Sequence, residues 1–160
     1  AFANISGAHF NPFVSLSMFL RKKINGKLLI IYIPAQILGC LVGVMLANVF
    51  FEHNILELST KNRDGFHIFL SEIIATFGLI FIIFATLKDG KITIAASVAT
   101  YIMAGYWFTS STSFANPAVA IARTFTDSFT GINYMNTPTY ILAEFLGALI
   151  AVFLIKKLIK

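Results

Sequence analysis

Four runs of apolar residues, 28–51, 66–87, 92–108 and 139–155, dominate the chain and dictate its solvent. A spanning helix needs roughly 17–25 predominantly apolar residues, and each run approaches or exceeds that length. A soluble all-α protein of this size has too little interior to bury four such helices on every side. Composition agrees: 58% of the 160 residues are hydrophobic and 12% are charged, about half the charged share of an ordinary soluble domain. The expected fold class is an all-α membrane protein with four transmembrane helices, its main partner the lipid bilayer.

The net charge of +5 does not mark a nucleic-acid surface, because the basic residues sit at membrane borders. Nine of the twelve form three clusters: Arg21, Lys22, Lys23 and Lys27; Lys88 and Lys91; and Lys156, Lys157 and Lys160. Four spans bring all three clusters to one side, which the positive-inside rule makes cytoplasmic together with the C-terminus. Lys61, Arg63 and Arg123 then fall outside or near the outer mouth, and Tyr106 and Trp107 either anchor at the interface or pack. The single Cys40 lies inside the first run as a small packing residue, so no disulfide framework, metal cluster or cofactor is expected. The chain opens at Ala1 in a loop-like stretch without a leader pattern, and is expected to be an internal fragment lacking an N-terminal portion.

The chain also repeats itself. Ser6-Gly7-Ala8-His9-Phe10-Asn11-Pro12-Phe13-Val14 matches Ser111-Thr112-Ser113-Phe114-Ala115-Asn116-Pro117-Ala118-Val119, and Tyr32 to Gly39 matches Tyr140 to Gly147. Three spans separate the two Asn-Pro elements. Three is odd, so the elements enter the membrane from opposite faces as an inverted repeat, a plan in which the transport pathway lies at the repeat interface. Gly39 and Gly147 either let helices approach closely or are simply tolerated.

The helical stretches after each Asn-Pro, about 11–21 and 116–127, are too short to cross at about 1.5 Å per residue. They are expected to be re-entrant half-helices. Asn is a strong N-cap and Pro suits the first helical position. The basic run from Arg21 keeps the far end of the first half-helix at the cytoplasmic face, so its N-terminus points to the bilayer middle, and the second mirrors it. Two N-termini meeting there concentrate partial positive charge and repel cations. Asn11 and Asn116 can offer amide donors to a passing oxygen, while 6–10 and 111–115 supply backbone carbonyls beside a cavity.

In these residues the sequence resembles the major intrinsic protein family of aquaporins and glycerol facilitators, whose signature is a pair of Asn-Pro-Ala boxes. The resemblance covers the whole chain as one domain, 1–160, and implies an aquaporin-like inverted repeat with six spans and two half-helices, of which two spans are absent here. It further implies a channel for water or small neutral solutes such as glycerol-like polyols, urea and neutral metalloid hydroxides, a homotetramer, and residence in a bacterial inner (plasma) membrane.

By the same resemblance, the filter sites map to Ala104, Ser113 and Val119, the pore-lining loops hold Gly7, Ala8, His9, Thr112 and Phe114, and Glu72 supports a pore loop. Glu144 has no counterpart and is expected at a helix interface or a partner subunit. Two positions depart from the pattern. The first box reads Asn11-Pro12-Phe13, so Phe13 either fills packing space or reshapes the constriction; the second is Asn116-Pro117-Ala118 followed by Val119 where an arginine is usual. Losing that cation makes the filter wider and less polar. Arg123, four residues on along the same face, either partly substitutes or is solvated outside the filter. His9 either lines the vestibule, where it could respond to pH, or makes a loop-stabilising hydrogen bond.

An ion-coupled transporter using Glu72 and Glu144 and a non-conducting fragment are the alternatives. An enzyme is not expected, since no His-Glu metal spacing or Ser-His pairing stands out in the spans.

Overall fold

Each helix begins at a residue suited to start it. Asn11 Oδ1 accepts the Phe13 amide at 2.9 Å and opens α1 (Pro12–Leu20), and Asn25 Oδ1 accepts the Leu28 amide at 2.9 Å to open α2 (Gly26–Phe50). Gly65 and Gly90, both at positive φ, precede α3 (Phe66–Ala85) and α4 (Lys91–Phe108). Asn116 caps α5 (Pro117–Ala122), which tightens into a 3-10 turn over Arg123–Phe125, and α6 runs Thr137–Leu158. In the computed structural model residues 1–158 are described, and among them no strand occurs; Lys160 of the C-terminal basic cluster lies outside the described residues.

The boundaries differ modestly from the sequence reading. The last helix starts two residues early because Pro138 fits its first turn, where a missing N–H costs nothing. α1 stops where Lys22 turns left-handed and the Lys23 amide reaches back to Met18 O at 2.8 Å, a Schellman closure that needs no glycine here. Three helices, α2, α3 and α6, are long and apolar enough to cross a membrane. α4 has only 18 residues, with Lys91 at its start and Tyr106 and Trp107 near its end. It lies along α3, where Tyr101 Oη donates to Ala75 O at 3.1 Å.

Packing brings the repeat halves together. α3 and α6 form the most extensive helix pair, and both half-helices lodge between α2 and α6. The main core joins Phe13, Val14 and Met18 of α1 to Leu79, Ile80 and Ile83 of α3 and to Ala148, Ala151 and Ile155 of α6. A second cluster gathers Ile68, Phe114, Ala120, Ile132 and Tyr140. Gly147 sits where α6 meets α3: a Cβ there would stand 2.4 Å from Ile73 O, whereas a Cβ on Gly39 would meet nothing within 4 Å. The repeat partners therefore do different jobs.

The loop after α2 is extended and crosses the end of the second half-helix as a strap. Ser59 N donates to Thr124 O at 2.9 Å, Asn133 N to Lys61 O at 2.8 Å, and Arg63 Nε to Gly131 O at 2.9 Å. Asn48, buried at the end of α2, donates to Phe125 O at 2.9 Å. Asp127 accepts the Thr60 amide at 2.8 Å and its hydroxyl at 3.0 Å. The Thr60 amide, and then its hydroxyl, hold the Asp127 carboxyl below its ordinary value.

Gly147→Leu is expected to lower stability by about 2–3 kcal/mol through overpacking, while Gly39→Leu stays within about 0.5 kcal/mol; unfolding of both variants in detergent checks the contrast. Because the folded pKa of Asp127 is depressed, its contribution is present above the unfolded value near 3.9 and is lost as pH falls through the lower folded one. A fall in the protection of the Thr60 amide, measured against its intrinsic exchange rate at each pH and seen only below about pH 4, is the expected readout.

Candidate functional site

The two Asn-Pro elements meet tip to tip. Asn11 Nδ2 donates to Ala115 O at 2.7 Å, and Asn116 Nδ2 donates to Phe10 O at 2.9 Å. Each asparagine therefore works twice: its oxygen caps its own half-helix, with Asn116 Oδ1 accepting the Ala118 amide at 3.1 Å, and its nitrogen ties down the opposite loop. One further N–H remains on each amide nitrogen.

The loops feeding these tips are built alike. Gly7, Ala8 and Phe10 have φ of 76°, 53° and 48°; their counterparts 105 residues on, Thr112, Ser113 and Ala115, have 65°, 50° and 47°. Five of these six are not glycine, and each such residue held left-handed costs about 1 kcal/mol or more. The compensation is a set of hydrogen bonds made by buried groups. Glu72 of α3, fully buried, accepts the Phe114 amide at 2.9 Å on Oε1 and the Ala115 amide at 2.8 Å on Oε2. Glu144 of α6, also fully buried, accepts the next amide, Asn116 N, at 2.9 Å on Oε1. Three consecutive amides are thus gripped by two carboxyl groups, at about 1.5–3 kcal/mol for each bond to a charged acceptor.

Glu144 is the supporting residue that sequence reading missed. It faces neither lipid nor another subunit's surface, but the second pore loop. Its repeat counterpart, Gln36, similarly reaches a half-helix, donating to Ser15 Oγ at 2.9 Å, so the pairing of Gln36 with Glu144 was the available signal. Glu144 Oε2 has no hydrogen-bond partner.

A cavity of about 850 Å³ runs past the joined tips. Along α4 it touches Lys91, Ile94, Val98, Ile102 and Tyr106, a stripe about 22 Å long at ~1.5 Å per residue. Val14, Met18 and Ile24 line it toward the Lys91 end, while Val119 and Arg123 line it with Tyr106 at the other. The half-helices thus diverge from their shared tips toward opposite mouths. One wall is apolar side chains; the other is the two left-handed loops, with Gly7, Ala8, His9, Phe10, Ser113, Phe114 and Ala115 on it beside Asn11 and Asn116. A wall with separate apolar and polar sides suits a solute that exchanges water hydrogen bonds for carbonyl and amide ones.

The other sequence candidates fall as follows. Pro12, Pro117 and Ala118 are buried in the first turns of their half-helices. Phe13 lies off the cavity, packed against Phe145 with ring centroids 5.8 Å apart, so its volume goes into the α1–α6 contact. Thr112 is not on the cavity wall. Ser113 is, with its hydroxyl against α4 at Gly105, where an added Cβ would approach Ser113 Oγ to 2.6 Å. Ala104 is exposed and is not among the residues lining this cavity; it lies two residues, about 200° around a helix, from Ile102 and Tyr106, which do line it. His9 takes both of its alternatives, lining the cavity and standing 3.1 Å from Ser15 Oγ through Nδ1. Arg123 is not shed into solvent; it too lines the cavity.

Comparison with known proteins gives the same frame. The family model described as major intrinsic protein matches residues 1–154. The aquaglyceroporin AqpS of Rhizobium meliloti is 43% identical over 156 residues, covering 98% of this chain and 67% of that protein. Aquaporin-4 of Rattus norvegicus is 30% identical over 94% of this chain, and the probable aquaporin TIP3-2 of Arabidopsis thaliana 27% identical over 98% of it. The chain spans 49% of the length of that aquaporin-4 and 60% of TIP3-2.

Glu72→Gln is expected to destabilise by about 2 kcal/mol or more, because an amide NH₂ would face a backbone N–H that now finds a carboxylate oxygen. Glu144→Gln keeps an oxygen for Asn116 N, and its NH₂ replaces an oxygen that has no hydrogen-bond partner, so it should cost much less. Thermal unfolding of both variants in one detergent measures the difference.

Proposed function

Because the chain belongs to the major intrinsic protein family and its apolar helices make it an integral membrane protein, we propose that it forms a passive pore for water and small uncharged solutes that excludes ions. The observation that carries this reading is the cross-bonded pair of half-helix tips with a continuous cavity running past them. Two helix N-termini present partial positive charge at one point, which raises the energy of any cation there. The single free N–H left on each of Asn11 and Asn116 offers a neutral oxygen a donor.

Val119 supports a substrate range beyond water. An aliphatic side chain on the cavity wall, where the family pattern has arginine, leaves more room and fewer donors. Glycerol-like polyols, urea and neutral metalloid hydroxides fit such a wall, and the relative AqpS is named as an aquaglyceroporin. Ser113 and Val119, with the Asn pair, form the proposed selectivity set. The basic clusters support a cytoplasmic C-terminus, and the bacterial source of AqpS supports a bacterial inner membrane. A homotetramer with one pore in each subunit completes the proposal, drawn from the family resemblance.

Coupled transport would need Glu72 or Glu144 on the pathway. Neither lines the cavity, and both Glu72 oxygens are taken by loop amides. Val119→Arg should reduce glycerol uptake about tenfold while water passes within a few-fold of the parent. Swelling of liposomes holding the full chain measures both; glycerol entry unaffected by the arginine would remove Val119 from the filter.

A further inference from the structure

The outer mouth of the cavity carries a guanidinium held in an unusual way. Arg123 follows Val119 by four residues, about one turn and ~6 Å outward along the half-helix. Its Cζ stands 4.3 Å from the centroid of the Phe114 ring, and it lines the same cavity as Tyr106 of α4, Ser113 and Val119. A second guanidinium, Arg63, comes within 5.9 Å of the same ring but is a different kind of group. Its Nε and Nη2 are spent on the carbonyls of Gly131 and Phe129, and it does not line the cavity. Among the described residues no carboxylate lies within ion-pair distance of Arg123. A neutral ring holds this cation, and among the described residues no ion pair cancels it.

We propose that Arg123 determines the specificity of the outer pore, presenting N–H donors to neutral oxygen-bearing solutes and repelling cations one turn outside Val119. The inference rests on the channel reading above and adds the residue that carries its selectivity. A guanidinium is planar with five donors in its plane, so stacking one face on Phe114 immobilises it while leaving edge N–H groups free. A cation entering from outside meets this charge first and the half-helix tips second, about 10 Å further in at ~1.5 Å per residue. Between the two barriers the wall at Val119 is aliphatic, so a neutral solute meets donors, then an apolar stretch, then the Asn pair.

The position of the cation also separates two properties that one side chain would otherwise set together. Width at Val119 is governed by valine; charge is governed by Arg123, whose seat is Phe114 rather than the narrow wall. The structure thus assigns ion exclusion to the mouth and size selection to the level below.

The test uses liposomes holding the full chain as wild type, Arg123→Leu, Phe114→Leu and the double variant Arg123→Leu/Val119→Arg. Water and glycerol entry are followed by swelling, and methylammonium ion uptake is followed at neutral pH, where it is cationic. Wild type is expected to pass both neutral solutes and exclude methylammonium. Arg123→Leu should raise methylammonium entry about tenfold or more, the order expected from removing one nearby unscreened charge, and raise the glycerol-to-water ratio. Phe114→Leu should move both readings the same way by less, and the double variant should restore exclusion. If Arg123→Leu swells with cation exclusion and solute ratio both unaltered, Arg123 is a packing group and the inference is wrong. If Arg123→Leu does not assemble, Phe114→Leu decides by the same two readings. Wild-type liposomes that admit neither neutral solute would overturn the channel reading itself, before any variant is considered.

Discussion

Everything in this structure is arranged around one reciprocal contact: each asparagine at a half-helix tip donates its amide hydrogen to the last carbonyl of the opposite loop. Neither half-helix crosses the membrane, and a short re-entrant segment exposes backbone that lipid cannot satisfy. The contact resolves that problem for both segments at once, since Asn11 and Asn116 cap their own helices with oxygen and brace the other loop with nitrogen. Removing either nitrogen would leave a loop carbonyl without its donor. The cavity past the tips keeps its loop wall because this bond joins the loops to each other and the carboxyl groups behind the second loop tie it to α3 and α6.

The two halves share backbone geometry but not support. Left-handed φ angles recur at matching positions in both loops, within 11° of one another across each pair. Behind the second loop stand Glu72 and Glu144, both fully buried. Behind the first, the described contacts are lighter: Tyr32 Oη donates to Ser6 O at 2.7 Å, and His9 and Gln36 both converge on Ser15. The close helix crossing at Gly147 explains part of this difference. It draws α6 against α3, so the carboxyls they carry reach the same loop, whereas Gly39 faces open space.

Much of the plan was legible from the amino-acid sequence, and the illegible parts have a common cause. Asn-Pro pairs signal helix starts through local chemistry, so the half-helices could be located without any tertiary information. The odd number of spans between them is arithmetic. Glu144 was readable only through its repeat pairing with Gln36; a lone carboxylate in an apolar helix does not announce its partner, and the packing of α6 on α3 leaves it facing Asn116. Phe13 was ambiguous for the same reason, its direction being fixed by Phe145 across a helix interface. On α4 the cavity stripe runs through Ile102 and Tyr106, about 200° around the helix from Ala104. Arg123 needed the ring of Phe114 beneath it, a residue nine positions away in the chain and on a loop.

The span of 104 residues between Asn11 and the carbonyl it braces sets an order of events during synthesis. At about 5–20 residues per second, the ribosome delivers Ala115 roughly 5–20 s after Asn11. Throughout that interval the first re-entrant segment has its cap but not its brace. It must wait at the membrane with a half-finished hairpin of backbone, shielded by α2 or by whatever translocation machinery surrounds it. The early half of the molecule is therefore completed by the late half, and a nascent chain stalled before residue 116 would leave it unsealed.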